Sequence, residues 1–542
     1  MKVRNLLIVL VCLVLANVLV QMRVFRWDLT DDKIYSLSEA SKNLLRQTDA
    51  PIEVTLLLDG DLNAGFRRLK KATEETLEEM AVYGDLQVKT ATLPDDSLAK
   101  LHANPTVILE REHNGKTAQT MIYPYAIMTY KNKFTVVPLL KNAMGLSGEE
   151  NLNTSIEQLE YAFAEALHRL QQVQVPKIAF LEGHGELDDA HTYDLMAALS
   201  IYFQVDRGAI NGEEIDLHVL DDYKVLIIAD PWEPFSDAEL FVLDQYIMRG
   251  GSILWAVNGV QFSDEALQES GRTPIIEHNV GIKEMFYRYG VSIDPVLMQD
   301  IQCMTTLVNV SDEEEEPNLQ PIPWTFAPLL QPNTLHPVGK GLGPVMSSFV
   351  SPTRPVNQNP DIAEYELLTT STNTKSTSAP NEVDLADFNQ DWSTFVHAKA
   401  PVAIALEGRF PSMYAHRMVP DGVITNEPIV KTGEKARQVV IGSGSILRNE
   451  IQQRQVVPLG YDRYRGIQYS NRDFIVNAVL WLADNEGLIS LRSKTVPLRL
   501  LNTKRAYDER TKVELVSTIC PVVILMLLGG VIWIIRKRRY EK

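Results

Sequence analysis

The sequence is short of cysteine, of net positive charge and of nucleotide-binding motifs. Its three cysteines are Cys12, Cys303 and Cys520, and two of them sit inside apolar runs at the chain ends. No pair remains to staple the middle, so neither a disulfide scaffold nor a cysteine-ligated zinc site fits the bulk of the chain. Lys and Arg number 52 against 70 Asp and Glu, and the net charge of −18 repels a phosphate backbone, which argues against nucleic-acid binding. No P-loop is present, and Thr432-Gly433-Glu434-Lys435 has the wrong spacing for one, so any ATP hydrolysis must come from another polypeptide. What is present is ordinary folded protein: 542 residues, 45% hydrophobic and 23% charged, enough for two to four domains.

Two long uncharged runs stand out. Asn5 to Met22 is 18 residues between Arg4 and Arg23, which as a helix spans about 27 Å, nearly a bilayer core. It lacks a small-x-small cleavage site after Leu19, and this favours an uncleaved anchor (1–27) over a signal peptide. Val516 to Ile535 is a run of 20 uncharged residues followed by Arg536, Lys537, Arg538 and Arg539, the start of a basic tail at 536–542. Pro521 falls in its first turns, where a missing N–H is tolerated, and Gly529-Gly530 suits close approach of another helix. Two transmembrane helices are thus expected. Basic flanking residues number seven on each side, so only the α-amino group and the density of Arg536 to Arg539 favour cytoplasmic termini.

The middle reads as α/β. In a first domain at 28–173, a strand at 51–58 precedes Phe66, Leu69, Thr73, Leu77 and Met80 at helical spacing, and the strand LQVKTATL follows. Turn residues at Asn114-Gly115 and Lys131-Asn132-Lys133 suggest hairpins, and Thr154 with Glu157 has capping-box spacing for a helix bearing Phe163, Leu167 and Leu170. A second domain at 174–490 opens with the strand KIAFL and the turn Glu182-Gly183-His184-Gly185-Glu186. Val225 to Ala229, a helix capped by Ser236 and Glu239, and Ser252 to Val257 then form a strand–helix–strand unit. This is a doubly wound α/β signature. Residues 300–400, with Asp312 to Glu316, several prolines and TTSTNTKSTSAPNE, read as a loop-rich insertion of long loops and short strands. Regular structure resumes with Val402 to Leu406, RQVVIGS and a helix near 472–485, before a juxtamembrane stretch at 491–515.

Taken in order, FRWDLTDDKIYSLSEASKNLL, GDLNAGFRRLKKATEETLEEM, KIAFLEGHGEL, IIADPWEPFSDAELFVLDQYIMRGG and NRDFIVNAVLWLADNEGLISLRSK resemble the GldG family, auxiliary proteins of the ABC transporter associated with gliding motility. The similarity covers nearly the whole chain, and its specificity lies in the order of the segments and the paired apolar ends. The resemblance implies a class I glutamine-amidotransferase-like (flavodoxin-like) domain and a substrate-binding role. It also implies a location in the cytoplasmic membrane with the bulk in the periplasm, beside a GldF-like multi-span permease and a GldA-like ATPase.

Candidate chemistry is sparse. An amidotransferase-like enzyme needs a nucleophile on a strand-to-helix elbow. Cys303 has no glycine elbow, and in Gly442-Ser443-Gly444-Ser445 the last glycine position is held by Ile446. Glu182, His184 and Glu186 stand at the carboxyl end of a strand, where open α/β sheets bind ligands; the simpler reading is a tight turn whose polar groups cap the next helix. His191 reads as a solvated first-turn residue, with a part in metal binding as the alternative. Asp230 and Trp232 end a strand on the same rim, and Trp232 is either a stacking platform for a sugar or a packed loop aromatic. No metal-ligand spacing supports a metal site, the Asp312 to Glu316 run lacks a calcium-loop frame, and no cofactor is expected. The expected protein is a non-enzymatic ABC-transporter auxiliary subunit, with a stand-alone envelope sugar-binding or scaffold protein, or an amidotransferase-like enzyme, as alternatives.

Overall fold

The structure is a computed structural model that describes residues 36–540 apart from 93–100, 102–104, 112–116, 142–145, 211, 213, 310–318, 357–358, 386–390, 397, 485–486 and 494–509. The expected anchor at 1–27, the Asn114-Gly115 turn and the acidic run at 312–316 lie outside the described residues. The chain divides into a large unit ending at Thr495 and a second unit, Val496–Lys542.

In the first lobe, helix α1 (Glu39–Arg46) begins at Ser38, whose side chain accepts from the Ser41 amide. Strand β1 (Ile52–Leu56) and helix α2 (Ala64–Ala81) follow, and α2 buries Phe66, Leu69, Thr73, Leu77 and Met80, the set picked out by their 3 and 4 spacing. Strand β2 (Leu86–Thr90) pairs parallel with β1, whose other side takes β3 (Tyr125–Tyr130) and its hairpin partner β4 (Lys133–Pro138). Two helices close the lobe, α3 (Gly148–Glu157) and α4 (Leu159–Gln171). The capping box forms at Ser147 and Glu150, and the Thr154–Glu157 pair expected to cap lies within α3. The Ser147 hydroxyl precedes the first helical turn, where free amides need an acceptor, whereas Thr154 is already inside the ladder.

The second lobe is built on a ten-stranded sheet. Its chain order runs β5 (Lys177–Glu182), α5 (Asp189–Leu199), β6 (Gln204–Ala209), β7 (Tyr223–Ala229), α6 (Asp237–Met248), β8 (Ser252–Ala256) and α7 (Lys283–Tyr289), then β9 (Cys303–Asn309), β10 (Leu319–Pro332), β11 (Ile362–Thr369), β12 (Pro401–Pro411), β13 (Thr432–Ile441) and α8 (Asn471–Ala483). Across the sheet the order is β9-β10-β11-β12-β13-β8-β7-β5-β6, with a short strand at Val345–Met346 beside β10. From β13 to β6 the neighbours are parallel, and from β13 to β9 antiparallel. The fold is therefore mixed α/β.

Burial explains the layering. Every residue of β8 is buried, as is Val225–Ala229 of β7, which is what strands covered on both faces require. Leu195, Leu199, Phe474 and Val479 from α5 and α8 pack with Ile178, Phe180 and Ile227 on one face. Leu243, Ile247 and Met285 from α6 and α7 pack with Leu226, Ile228 and Trp255 on the other. Residues 300–400, which read as long loops with short strands, supply the sheet strands β9, β10 and β11. Pro321, Pro323, Pro328 and Pro332 interrupt the apolar alternation of β10 and hide its 14-residue length from a periodicity reading. After α8, Leu488 and Leu491 return to the core of the first lobe, so the two lobes share packing.

The second unit contains helix α9 (Arg510–Tyr540), with Pro521 inside it. Its stretch Ser517–Ile534 is long and apolar enough to cross a membrane, with a mean hydropathy of 2.3.

Candidate functional site

In chain order the five parallel strands β5, β6, β7, β8 and β13 lie 2-1-3-4-5, so the strand order reverses between β5 and β7, and the carboxyl ends of those strands flank the crevice where such sheets take ligands. The turn after β5 occupies this place. Gly183 and Gly185 have φ of 115° and 73°, a region that side chains with a Cβ avoid, and they fold the intervening His184 inward. The His184 amide donates to Glu186 Oε2 at 2.7 Å, and its ring lies with Nδ1 3.2 Å from Glu186 Oε1 and Nε2 3.2 Å from Glu239 Oε1. Phe235 stacks on that ring at 3.8 Å between centroids. Burial pushes the imidazole pKa down, but the hydrogen bonds and charges of Glu186 and Glu239 outweigh it and hold the pKa above its ordinary value. Glu239 also holds the helix start, where its Oε2 accepts from the Ser236 amide and hydroxyl, both at 2.7 Å, in the capping box of α6. The imidazole is thus a strut between the turn and the start of α6.

Glu182 faces elsewhere. Its Oε1 receives Arg207 Nε at 2.7 Å, and the same guanidinium reaches Thr192 Oγ1 and the Leu187 carbonyl, tying β6 to α5. His191 sits in the first turn of α5 with Nδ1 2.7 Å from Asp188 Oδ1, the helix N-cap.

Asp230, at the end of β7, is buried and takes a φ of 60°. Its amide donates to the Ala256 carbonyl, Asn258 Nδ2 donates to its Oδ1 at 2.5 Å, and Asn258 Oδ1 accepts from the Gly444 amide at 3.0 Å. The three strand ends β7, β8 and β13 are thereby knotted together. A Cβ on Gly444 would overlap the Asp230 carboxyl, so only glycine fits there. Burial pushes the Asp230 pKa up to about 7, against the opposing influence of the Arg448 cation and of hydrogen bonds from Trp232 and Asn258. The Trp232 and Glu233 amides donate to the His184 carbonyl at 2.7 and 2.8 Å, joining this knot to the His184 turn. The indole is half-buried, edge-on to Phe262 and His278 at 5.8 and 5.4 Å.

The structure therefore brings His184, Glu186, Asp230 and Trp232 to one rim and sends Glu182 to Arg207. Sequence reasoning missed Glu239 as the second carboxylate on His184, and it missed Asn258 and His278. Asn258 had a signal, since it follows β8 as Asp230 follows β7; His278 had none. The nucleophile candidates lack activation. Cys303 is buried and desolvation raises its thiol to about 11, beyond the range of a neutral-pH thiolate. The buried Ser443 hydroxyl lies 3.0 Å from the Ser348 carbonyl and 2.8 Å from Ser445 Oγ. Among the described residues no group of three or more His, Cys, Asp or Glu is arranged to hold a metal.

Residues 175–478, more than half of the chain, match the ABC-transporter auxiliary family, described as an ABC-type uncharacterized transport system. The chain belongs to this family. Membership implies partnership with transporter components and an accessory role in transport, and α9 fits membrane association. Within the first lobe, residues 31–129 match a domain of unknown function. No curated protein matches the chain. Among solved structures, the mmIFT52 N-terminal domain is 15% identical at a TM-score of 0.30, covering 57% of this chain and 98% of its own. A ThuA-like protein from Bacteroides uniformis is 12% identical at a TM-score of 0.30, covering 57% of this chain and 93% of its own.

Proposed function

We propose that this family member is a non-enzymatic auxiliary subunit of the substrate-binding type in a GldG-like ABC transporter associated with gliding motility. In this reading it is anchored by both apolar ends, with its bulk in the periplasm and its termini in the cytoplasm. Its partners are a GldF-like multi-span permease and a GldA-like cytoplasmic ATPase. The observation that carries the reading is the family match over 175–478 in a chain that also holds a helix of membrane-crossing length. The 2-1-3-4-5 order of the parallel strands supports assigning the second lobe to the doubly wound, flavodoxin-like class that includes class I glutamine amidotransferases. The high pKa of Cys303 and the engaged Ser443 hydroxyl support a non-enzymatic role.

For the membrane contact we propose Gly529 and Gly530, adjacent glycines in α9 whose lack of side chains lets the backbone of another helix approach closely. The test is gentle extraction of the full chain from native membranes and identification of what copurifies. The reading expects a polytopic permease and a nucleotide-binding subunit in defined ratio, and purification of the chain alone overturns it.

A further inference from the structure

Beside the knotted strand ends lies a cleft of about 470 Å³, bounded by Asn258 and Gly259 after β8, by α7 and by the Asp294–Arg354 pair. Its size is that of a small-molecule site. Val280, Ile282 and Phe286 are buried and make an apolar floor, while Tyr287 on its lip is 59% exposed, an uncovered aromatic face.

The polar groups of the cleft set the ligand's charge. Both carboxylate oxygens of Asp294 lie 2.8 Å from Arg354 Nε, Glu284 pairs with Arg417, and Lys283 pairs with Glu277, so every full charge on the wall already has its counterion. A carboxylate or phosphate on the remaining Arg354 N–H groups would meet a cation whose charge Asp294 already balances, and an ammonium at Asp294 would meet an anion that Arg354 already balances. His278 narrows the choice further. Its Nε2 lies 2.9 Å from the Pro231 carbonyl, which only accepts, so Nε2 carries the proton; burial lowers the pKa of the ring, and in this tautomer Nδ1 is an acceptor. An anion is repelled by that lone pair. A hydroxyl is not, because it donates to Nδ1 or Asp294 and accepts from the remaining guanidinium N–H groups of Arg354.

We propose that this cleft binds a neutral saccharide, its C–H face on Tyr287 and its hydroxyls bridging the Arg354–Asp294 pair and His278 Nδ1. The combination favours a ring with many hydroxyls and an apolar face: a purely apolar ligand would leave the polar groups of the wall without partners, and a charged one would bring a charge that the wall has no free counterion to balance. The proposal builds on the substrate-binding-type reading, and the two fail separately, since titration with sugar needs no permease and permease capture needs no sugar.

The experiment is titration calorimetry and saturation-transfer NMR on the full chain in phospholipid nanodiscs, free of sugar-headed detergent. The probes are lactose, maltose, cellobiose and N,N′-diacetylchitobiose, with glucuronate, inorganic phosphate and adenosine as counter-probes. At least one neutral disaccharide should bind with a Kd of about 1 mM or tighter. Tyr287→Ala, at an exposed site where folding is not at stake, should weaken it by about fivefold to tenfold, and Arg354→Ala by at least as much. Absence of binding by every neutral disaccharide overturns the proposal. So does saccharide binding indifferent to both substitutions, or Arg354-dependent binding of glucuronate, phosphate or adenosine tighter than that of the sugars.

Discussion

Glu239 serves two elements with one carboxylate: Oε1 lies 3.2 Å from His184 Nε2, while Oε2 accepts the Ser236 amide at the start of α6. Because Glu186 and Glu239 raise the His184 pKa, the charged imidazole stabilises the fold below its unfolded pKa, near 6.5, and that contribution is lost as pH rises through the folded value. Glu239→Gln keeps the cap, since glutamine also serves in a capping box, but removes a charge. The His184 NMR titration should move to lower pH in this variant, and the stability difference from wild type should shrink above the wild-type midpoint. An unmoved titration contradicts the strut.

Asp230 gives the opposite slope with pH from an ordinary surface carboxylate. Its folded pKa of about 7 exceeds the unfolded value, so stability is full below about 4 and declines as pH rises to about 7. Asp230→Asn tolerates a φ of 60° and cannot ionise. It should outlast wild type above pH 7 by on the order of 2 to 4 kcal/mol and match it near pH 4. Thermal melts from pH 4 to 8.5 decide this, and parallel curves contradict it.

Gly444→Ala should cost about 1 to 3 kcal/mol, because the new methyl overlaps the Asp230 carboxyl. Adding Asp230→Gly, which removes that carboxyl and suits the left-handed backbone, should restore much of the loss. Additive losses in the double variant would show that the methyl clashes elsewhere.

These groups mark how far the sequence could be read. The α2 face, the Ser236–Glu239 cap and the β7–α6–β8 order were legible because local periodicity and capping chemistry set them. The bounds of the strands at 303–309, 319–332 and 362–369 and their place in the main sheet were not, since proline-broken alternation carries no local period and their pairing is non-local. His184 and Asp230 were legible as strand-end residues, but their partners Glu239, Asn258 and Gly444 come from distant turns that only the assembled sheet brings together. The cleft at Tyr287 left no sequence signal, being assembled from turns on both sides of α7.

The proposed topology yields a labelling pattern. Cys303 is buried, so an introduced thiol is the proper reporter: Met418→Cys, at a side chain 89% exposed, should react with a membrane-impermeant maleimide in intact spheroplasts. Lys542→Cys should react only after the membrane is opened. Reaction of the tail in intact spheroplasts reverses the orientation.

If this chain works inside an ABC transporter, α9 lies against the permease in the membrane, and photo-crosslinking from α9 reports that contact. A photoreactive residue replacing Gly529 or Gly530, activated in native membranes, should yield a covalent adduct with a polytopic permease, one that fades when the neighbouring glycine is also made Leu. Adducts with lipid or a second copy of this chain alone, at both positions, would contradict the account.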